Sequence, residues 1–519
     1  MASPSTVYEP RTPSKGVLYQ VVRDHFETFR AQAAGLRDGE GLPRFVEQEF
    51  REFLRCGWLA GGFARFRCHD CGLDRLVPFS CKARACCPSC GGRRMAERAA
   101  HVVDHVFPRV PVRQWVLTLP HRLRYRLAWD HDLCRAVVGV CVRTILGFLR
   151  HAARAAGEAD GRGGVVAVVQ RFGGALNLNV HVHALVIDGV FARDGAGVRF
   201  WPAPVLHDLD VAEVLATIVP RVRRLLERRG MGAGDEDAGA PDGGAEEMPV
   251  LAGLAAASVQ GTFALGARVG RPARRCGATR EQDEGPPTAR HHARQEGFDL
   301  HAGVRVAADA RERLEKLCRY ALRPPMAQDR LRLTPEGQVV LRLRHPWSDG
   351  TTHLVFDPVE LLERLAVLIP RPRINLILYH GVLGPRAAWR PLVVGFGNTA
   401  DATTTAASTT EASVDRGEPG PAEPDPYDTC ERRPPRGGAR LWAELMRRSF
   451  GLDVLACPRC GGRLRLIALI DEAAVIARIL RHLHLPTEVP TPRPGRAPPL
   501  FAPGDIAEDS GVSAFVPCH

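Results

Sequence analysis

A chain of 519 residues has room for two to four folded units at roughly 150 residues each. Hydrophobic residues make up 45%, ordinary for a globular protein, while 41 Pro and 51 Gly exceed the usual share and assign part of the length to linkers. The net charge of +12 favours an anionic partner such as nucleic acid, no run of 18 or more apolar residues offers a transmembrane helix, and no secretory signal opens the chain, so a cytoplasmic location is expected.

Residues 1–55 read as an N-terminal helical region, with apolar periodicity from Val17 to Phe29 and from Phe45 to Leu54. Residues 56–95 hold seven of the 15 cysteines and read as a metal-binding unit, because a reducing compartment disfavours disulfides. A core is expected over 96–395. Its strand-like runs include 115–120, 165–170 and 180–187, and the acidic, Gly-rich stretch 229–249 reads as a flexible insertion. Later come a strand in GFDLHAGVRV, a helix in ARERLEKLCRYALRPP, strands at 338–343 and 352–356, and a helix over 357–369. A Ser/Thr/Ala/Pro-rich linker is expected at 398–438, a small C-terminal unit at 439–485 and a disordered tail at 486–519. Only Lys15, Lys82 and Lys316 are lysines, so nearly all cations are arginine, a bias that a GC-rich coding sequence also produces.

Cys68-x2-Cys71 and Cys87-x2-Cys90 have the spacing of a four-thiolate zinc site, each turn presenting two sulfurs to one tetrahedral ion. Cys56, Cys81 and Cys86 are extra, and Cys56 and Cys81 are candidates for a second site or for substitution at the first. Lys82, Arg84, Arg93 and Arg94 interleave the cluster and are candidate DNA contacts. Cys457-Pro-Arg-Cys460 is half of a further site, with His482 and His484 as candidates to complete it.

In NLNVHVHALVI, His181 and His183 share one face of a strand, and Val180, Val182 and Ala184 face a core behind them. Two adjacent imidazoles repel if protonated, so they are best explained as neutral ligands of one divalent cation. Gln170, on the neighbouring strand-like run, is a candidate third ligand, with His301 as its competitor, and Mg²⁺ or Mn²⁺ would suit such a site. On the helix ending at Arg323-Pro324-Pro325, Leu314, Leu317, Cys318, Ala321 and Leu322 form one apolar face. Tyr320 lies away from that stripe beside Arg313, Lys316 and Arg323, where Lys316 and Arg323 could hold a DNA phosphate and the tyrosine could act as nucleophile.

Five stretches, taken together, resemble rolling-circle transposases of the insertion-sequence-91 type: RCHDCG with SCKARACCPSCGGRRMAE, QRFGGALNLNVHVHALVIDGVF, GFDLHAGVRV with LEKLCRYALRPP, DGTTHLVFDPVELLERLAVLIPRPRINLILYHGVLGP, and DVLACPRCGGRLRLIALI. That family belongs to the HUH nucleases, named for two histidines flanking a hydrophobic residue. The resemblance implies that His181 and His183 bind a metal that polarises a scissile phosphate in single-stranded DNA. It also implies that Tyr320 attacks to leave a 5′-phosphotyrosine, in a bacterial, nucleoid-associated protein that host replication factors could assist. Lys316 stands four residues before Tyr320 and Pro324 four after, so this is a one-tyrosine variant, and Tyr379 is expected to be structural or to contact DNA. The expected fold is α+β: an antiparallel HUH nuclease core with helices, an N-terminal zinc-ribbon-like module and a small C-terminal CxxC module. A replication initiator or relaxase shares the same chemistry. A non-catalytic zinc-ribbon regulator would leave His181, His183 and Tyr320 without a task.

Overall fold

The computed structural model describes residues 12–36, 40–231, 247–277, 290–397 and 442–495. The expected linker at 398–438, most of the insertion at 229–249 and the tail beyond 495 lie outside the described residues.

The chain opens with α1 (Val17–Ala34) and α2 (Arg44–Arg55), packed through Phe26, Phe29 and Phe50, with the Phe26 and Phe50 rings 5.2 Å apart. The hairpin β1 (Phe63–Cys68) and β2 (Asp74–Pro78) leads to α3 (Pro88–His105), whose leading proline suits a first turn that has no use for its N–H. Next come β3 (Val112–Thr118), α4 (His121–Trp129) and α5 (His131–Ala155). The Asp130 carboxylate accepts from the Leu133 N–H at 2.7 Å and fixes the start of α5, a cap contributing about 1 kcal/mol.

The core continues through β4 (Gly164–Phe172), β5 (Leu178–Ile187), the ribbon β6 (Gly189–Asp194) and β7 (Gly197–Pro202), α6 (Asp208–Glu227) and α7 (Pro249–Gln260). Then follow β8 (Arg274–Gly277), β9 (His292–Gln295), β10 (Phe298–Val306) and α8 (Arg311–Leu322). After these come β11 (Leu331–Leu333), β12 (Val339–Arg342), β13 (Thr351–Phe356), α9 (Pro358–Leu368), β14 (Ile377–Gly381) and α10 (Arg390–Val394). The last elements are α11 (Trp442–Phe450), β15 (Leu464–Ile470) and α12 (Ala473–His482).

The main sheet has six antiparallel strands in the order β14-β4-β5-β3-β10-β9. All nine residues of β4 are buried, as a central strand covered on both faces requires. On β5, Val180, Val182, Ala184 and Val186 turn to a large core shared with Val137 and Ile145 of α5 and Val211 and Ile218 of α6. Leu185 and Ile187 turn to the opposite face, which packs under Val103 of α3 and Leu314 and Cys318 of α8. Each fully buried Val or Leu stabilises the fold by about 1.5–3 kcal/mol. The alternation therefore pins the register, and a one-residue slip would turn every β5 side chain to the wrong face. A buried carboxylate locks the far end of the sheet: Asp188 accepts from Arg113 Nε at 2.9 Å and from Arg305 Nε at 2.6 Å.

A second sheet has the order β11-β12-β13-β8. Beside it, Asp357 and Glu360 form a capping box at the start of α9. The third sheet joins the expected small C-terminal unit to the N-terminal hairpin. Strand β15 pairs antiparallel with β1 along its whole length, giving the order β15-β1-β2. Phe63 of β1 packs against Ile476 and Leu480 of α12, so β15 and α12 share a sheet and a small core with the N-terminal hairpin. The whole is a mixed fold of helices and antiparallel sheets, and no described helix is long and apolar enough to cross a membrane.

Candidate functional site

Strand β5 is straight and regular at its centre, so His181 and His183 project from one face, the face covered by α3 and α8. Their Nε2 atoms converge to 3.1 Å. His181 Nδ1 donates to the Asn179 carbonyl at 2.9 Å, which leaves its Nε2 with a lone pair pointing at the gap. The Gln114 amide, on β3, lies 2.9 Å from His183 Nδ1 and fixes that ring's orientation; ligation through Nε2 requires the amide turned so that its oxygen accepts from Nδ1–H. Burial is the main force pushing both imidazoles below the ordinary histidine value, His181 to about 4 and His183 to about 3, and the Arg323 guanidinium adds to both. The pair is therefore neutral, as metal ligands must be. Adjacent ligands of an octahedral ion with bonds of about 2.1 Å sit about 3 Å apart, which the Nε2 spacing fits.

Gln170 sits directly across from His181 in the β4–β5 register. Its Nε2 donates to the Ala321 carbonyl at 3.0 Å, and its buried Oε1 has no hydrogen-bond partner among the described residues. An orphaned buried oxygen beside two converging imidazoles fits a hard divalent cation. His301 is in register with Val116 of β3, which in turn faces His183, so a strand separates it from the pair, and its ring neighbours His292 instead.

Tyr320, half-exposed at 46%, stands edge-on to the His183 ring with centroids 5.7 Å apart. The helix α8 that carries it buries Leu314, Cys318 and Ala321 against the sheet, which aims the tyrosine along the histidine face. Arg323 lies over the Tyr320 ring at 4.1 Å, and its buried Nη1 has no partner among the described residues. An unpaired guanidinium at this place can take a phosphate oxygen.

The thiolates regroup in a way the spacing did not foretell. Cys68 and Cys71 do not share a site with Cys87 and Cys90. Instead Cys56, Cys81, Cys87 and Cys90 form one cluster, and Cys68, Cys71, Cys457 and Cys460 another, with all ligand atoms of each within 4.8 Å. Within them, Cys81 and Cys90 sulfurs lie 3.5 Å apart, Cys68 and Cys460 3.6 Å, and Cys71 and Cys457 3.6 Å. A tetrahedral zinc with bonds of about 2.3 Å has ligand edges of about 3.8 Å, so both clusters fit the ion. The physical cause is the fold. Cys87 caps α3 beside Cys56 at the end of α2, whereas the β1–β2 turn carries Cys68 and Cys71 toward the loop before β15. His482 and His484, expected beside Cys457 and Cys460, are exposed at the end of α12. Burial pushes the Cys457 thiol up, but backbone N–H donors of Cys460 and Arg459 and the neighbouring thiols bring it down to about 6.

Among the expected DNA contacts, Lys82, Arg93 and Lys316 are exposed. Arg84 and Arg94 are occupied by structure: Arg84 donates to the carbonyls of Arg371 and Ile374, and Arg94 to those of Lys82 and Ala83. Sequence reasoning missed Gln114, whose only signal was a polar side chain in an apolar strand. It also missed the salt-bridged seam that ties the last segment to the tyrosine helix. There Arg448 of α11 joins Asp104 of α3 to Glu315 of α8, at 2.6 and 2.5 Å.

Comparison with known families gives the class first: residues 164–388 match the transposase family Y2_Tnp, so the chain is a transposase, an enzyme that acts on DNA by cleaving it. Residues 21–119 match the zinc-binding domain of insertion-sequence-91 transposases, Zn_Tnp_IS91. The two matches fall on different parts of the chain, and together they support a transposase of the insertion-sequence-91 type. No curated protein and no solved structure matches it. The first match contains His181, His183, Tyr320 and Gln170. The second contains six of the eight clustered cysteines, for which structural zinc is the fitting metal.

Proposed function

We propose that this transposase nicks and rejoins single-stranded DNA through Tyr320 and mobilises its element by a rolling-circle-like route. What supports the reading is the convergence of His181 and His183 Nε2 atoms at 3.1 Å with the Tyr320 ring 5.7 Å from His183. His181, His183 and Gln170 Oε1 would hold a divalent cation, Mg²⁺ or Mn²⁺, which when bound withdraws charge from a scissile phosphate. Arg323 neutralises a phosphate oxygen beside the tyrosine, and Gln114 keeps the His183 ring from turning away. The Tyr320 oxygen forms the new bond to phosphorus as the bond to the 3′ oxygen breaks. The phenol proton leaves to solvent and the departing oxygen becomes a free 3′-OH. The 5′ phosphate remains on the tyrosine, so one phosphodiester is exchanged for another and rejoining needs no nucleotide hydrolysis. A single tyrosine on α8 supports one covalent strand at a time.

The test is incubation of the zinc-loaded chain with end-labelled single-stranded element-end DNA and Mg²⁺ or Mn²⁺, resolved on a denaturing gel. The expected product is a protein-linked 5′ fragment, absent with EDTA and absent in Tyr320→Phe, which keeps DNA binding because only the nucleophilic oxygen is lost. Covalent attachment that persists in Tyr320→Phe would place the nucleophile elsewhere. Binding without any cleavage of a verified substrate would favour the non-catalytic zinc-module reading.

A further inference from the structure

Between the zinc module and the nuclease sheet lies a cleft of about 600 Å³, large enough for a nucleotide-sized ligand. Gln170 and Arg323 of the candidate site line it, together with residues of β4 and of the edge strand β14. Five arginines line it: Arg84, Arg94, Arg98, Arg171 and Arg323. None of the described residues lining it is Asp or Glu.

Among the described residues no carboxylate forms an ion pair with these five arginines. Arg84, Arg94 and Arg171 donate to backbone carbonyls, which orient the guanidinium groups without cancelling their charge. The carboxylate felt by Arg84 is that of Glu49, which is bonded to the Ala85 and Cys86 N–H groups. Arg98 is exposed on α3. Arg171, held down to about 10 by burial, is bonded to the Ala128 and Val367 carbonyls behind β4, so it shapes the wall rather than offering a free cation to a ligand. Two aromatic rings meet this charge. Tyr379 is in register with Val166 and so lies on the histidine face of the sheet, and Phe172 carries Arg323 over its ring at 5.5 Å. The two walls are held close by a glycine: a Cβ on Gly91 of α3 would come within 2.7 Å of Pro324, immediately after the tyrosine helix and Arg323.

Cations for phosphates and rings for bases are what an unpaired strand requires, and a cleft of about 600 Å³ is too small for a duplex. We infer that this cleft seats the single-stranded nucleotides adjoining the scissile phosphate, with Arg98 and Arg323 on the backbone and Tyr379 against a base. The inference rests on the proposed function and adds the place where its substrate lies.

The test uses full-length, zinc-loaded protein carrying Tyr320→Phe, so that no strand is cut. Fluorescently labelled single strand and duplex of the same sequence are titrated against it, with and without Arg98→Glu or Tyr379→Leu. Arg98→Glu, at an exposed helix position, should weaken the single strand on the order of tenfold and lower its log–log salt slope by about 0.7 per lost phosphate contact. Tyr379→Leu should cost about fivefold to a hundredfold, the range for removing one stacking platform. Duplex affinity should change little. Unchanged single-strand affinity and slope in both variants, or equal losses on duplex, would overturn the inference. The tyrosine-adduct assay separates the two readings. If the protein with Tyr320 intact forms no adduct while the variants still lose single-strand affinity, the chemistry fails and the cleft stands. An adduct formed with unchanged affinities leaves the chemistry and removes the cleft.

Discussion

Replacing Cys457 and Cys460 together by serine should remove one zinc ion per chain and release the C-terminal segment while the six-stranded main sheet stays folded. Those two sulfurs complete the cluster begun by Cys68 and Cys71, some 390 residues earlier in the chain. Apart from the cluster, the described part of the segment buries Leu445, Val454, Leu464, Ile476 and Leu480. At about 1.5–3 kcal/mol each, these five contribute roughly 8–15 kcal/mol. A structural zinc site contributes a similar amount, roughly 10–16 kcal/mol in small zinc modules. Removing the ion therefore removes about half of the attraction that orders the segment, enough to free a unit whose net stability is a small difference between large terms. Elemental analysis should give two zinc ions in the parent and one in the double variant. Hydrogen exchange should show loss of protection in β15 and at the β1 amides facing it, with protection in β4 and β5 unchanged. A parent holding one zinc, a variant still holding two, or unaltered protection of β15 would refute the reasoning.

Gln114→Leu keeps the volume beside His183 but removes the amide at its Nδ1, so Mn²⁺ affinity measured by titration should fall roughly 10- to 100-fold, as for other supports of metal-ligating histidines. Unchanged affinity would mean the ring needs no such support. Asp188→Ala leaves Arg113 buried without its carboxylate and should cost about 3–5 kcal/mol of stability by denaturant unfolding, whereas a loss below about 1 kcal/mol would show the cluster to be dispensable. The lowered histidine values carry a pH signature. Because the folded chain holds His181 to about 4 and His183 to about 3, only the unfolded chain takes up these protons below about pH 6.5. The stability from this pair is thus complete above that pH and lost as pH falls toward 4. Without added divalent metal, His181→Asn with His183→Asn should lose less Tm between pH 6.5 and 4.5 than the parent, and an equal loss would contradict the assignment.

The amino-acid sequence by itself determines the parts whose cause is local. The i, i+2 pattern around His181 and His183 puts both imidazoles on one face, because strand side chains alternate whatever the neighbours are. The apolar stripe through Leu314, Cys318 and Ala321 likewise leaves Tyr320 off the buried face of its helix, and the Asp-Pro-Val-Glu start of α9 forms its capping box from adjacent residues alone. Tertiary structure decides what depends on segments far apart in the chain. The pairing of β15 with β1 gives Cys68 and Cys71 to Cys457 and Cys460 and leaves Cys87 and Cys90 to Cys56 and Cys81. A CxxC spacing fixes two sulfurs on one turn, but nothing in it selects the opposite pair. Arg84 and Arg94 show the same limit: both read as free cations in a basic stretch, yet the chain passing over them supplies the carbonyls that hold them. Gln114 could not be singled out from its strand because its task exists only once β3 lies beside β5, where register brings the amide to the histidine ring.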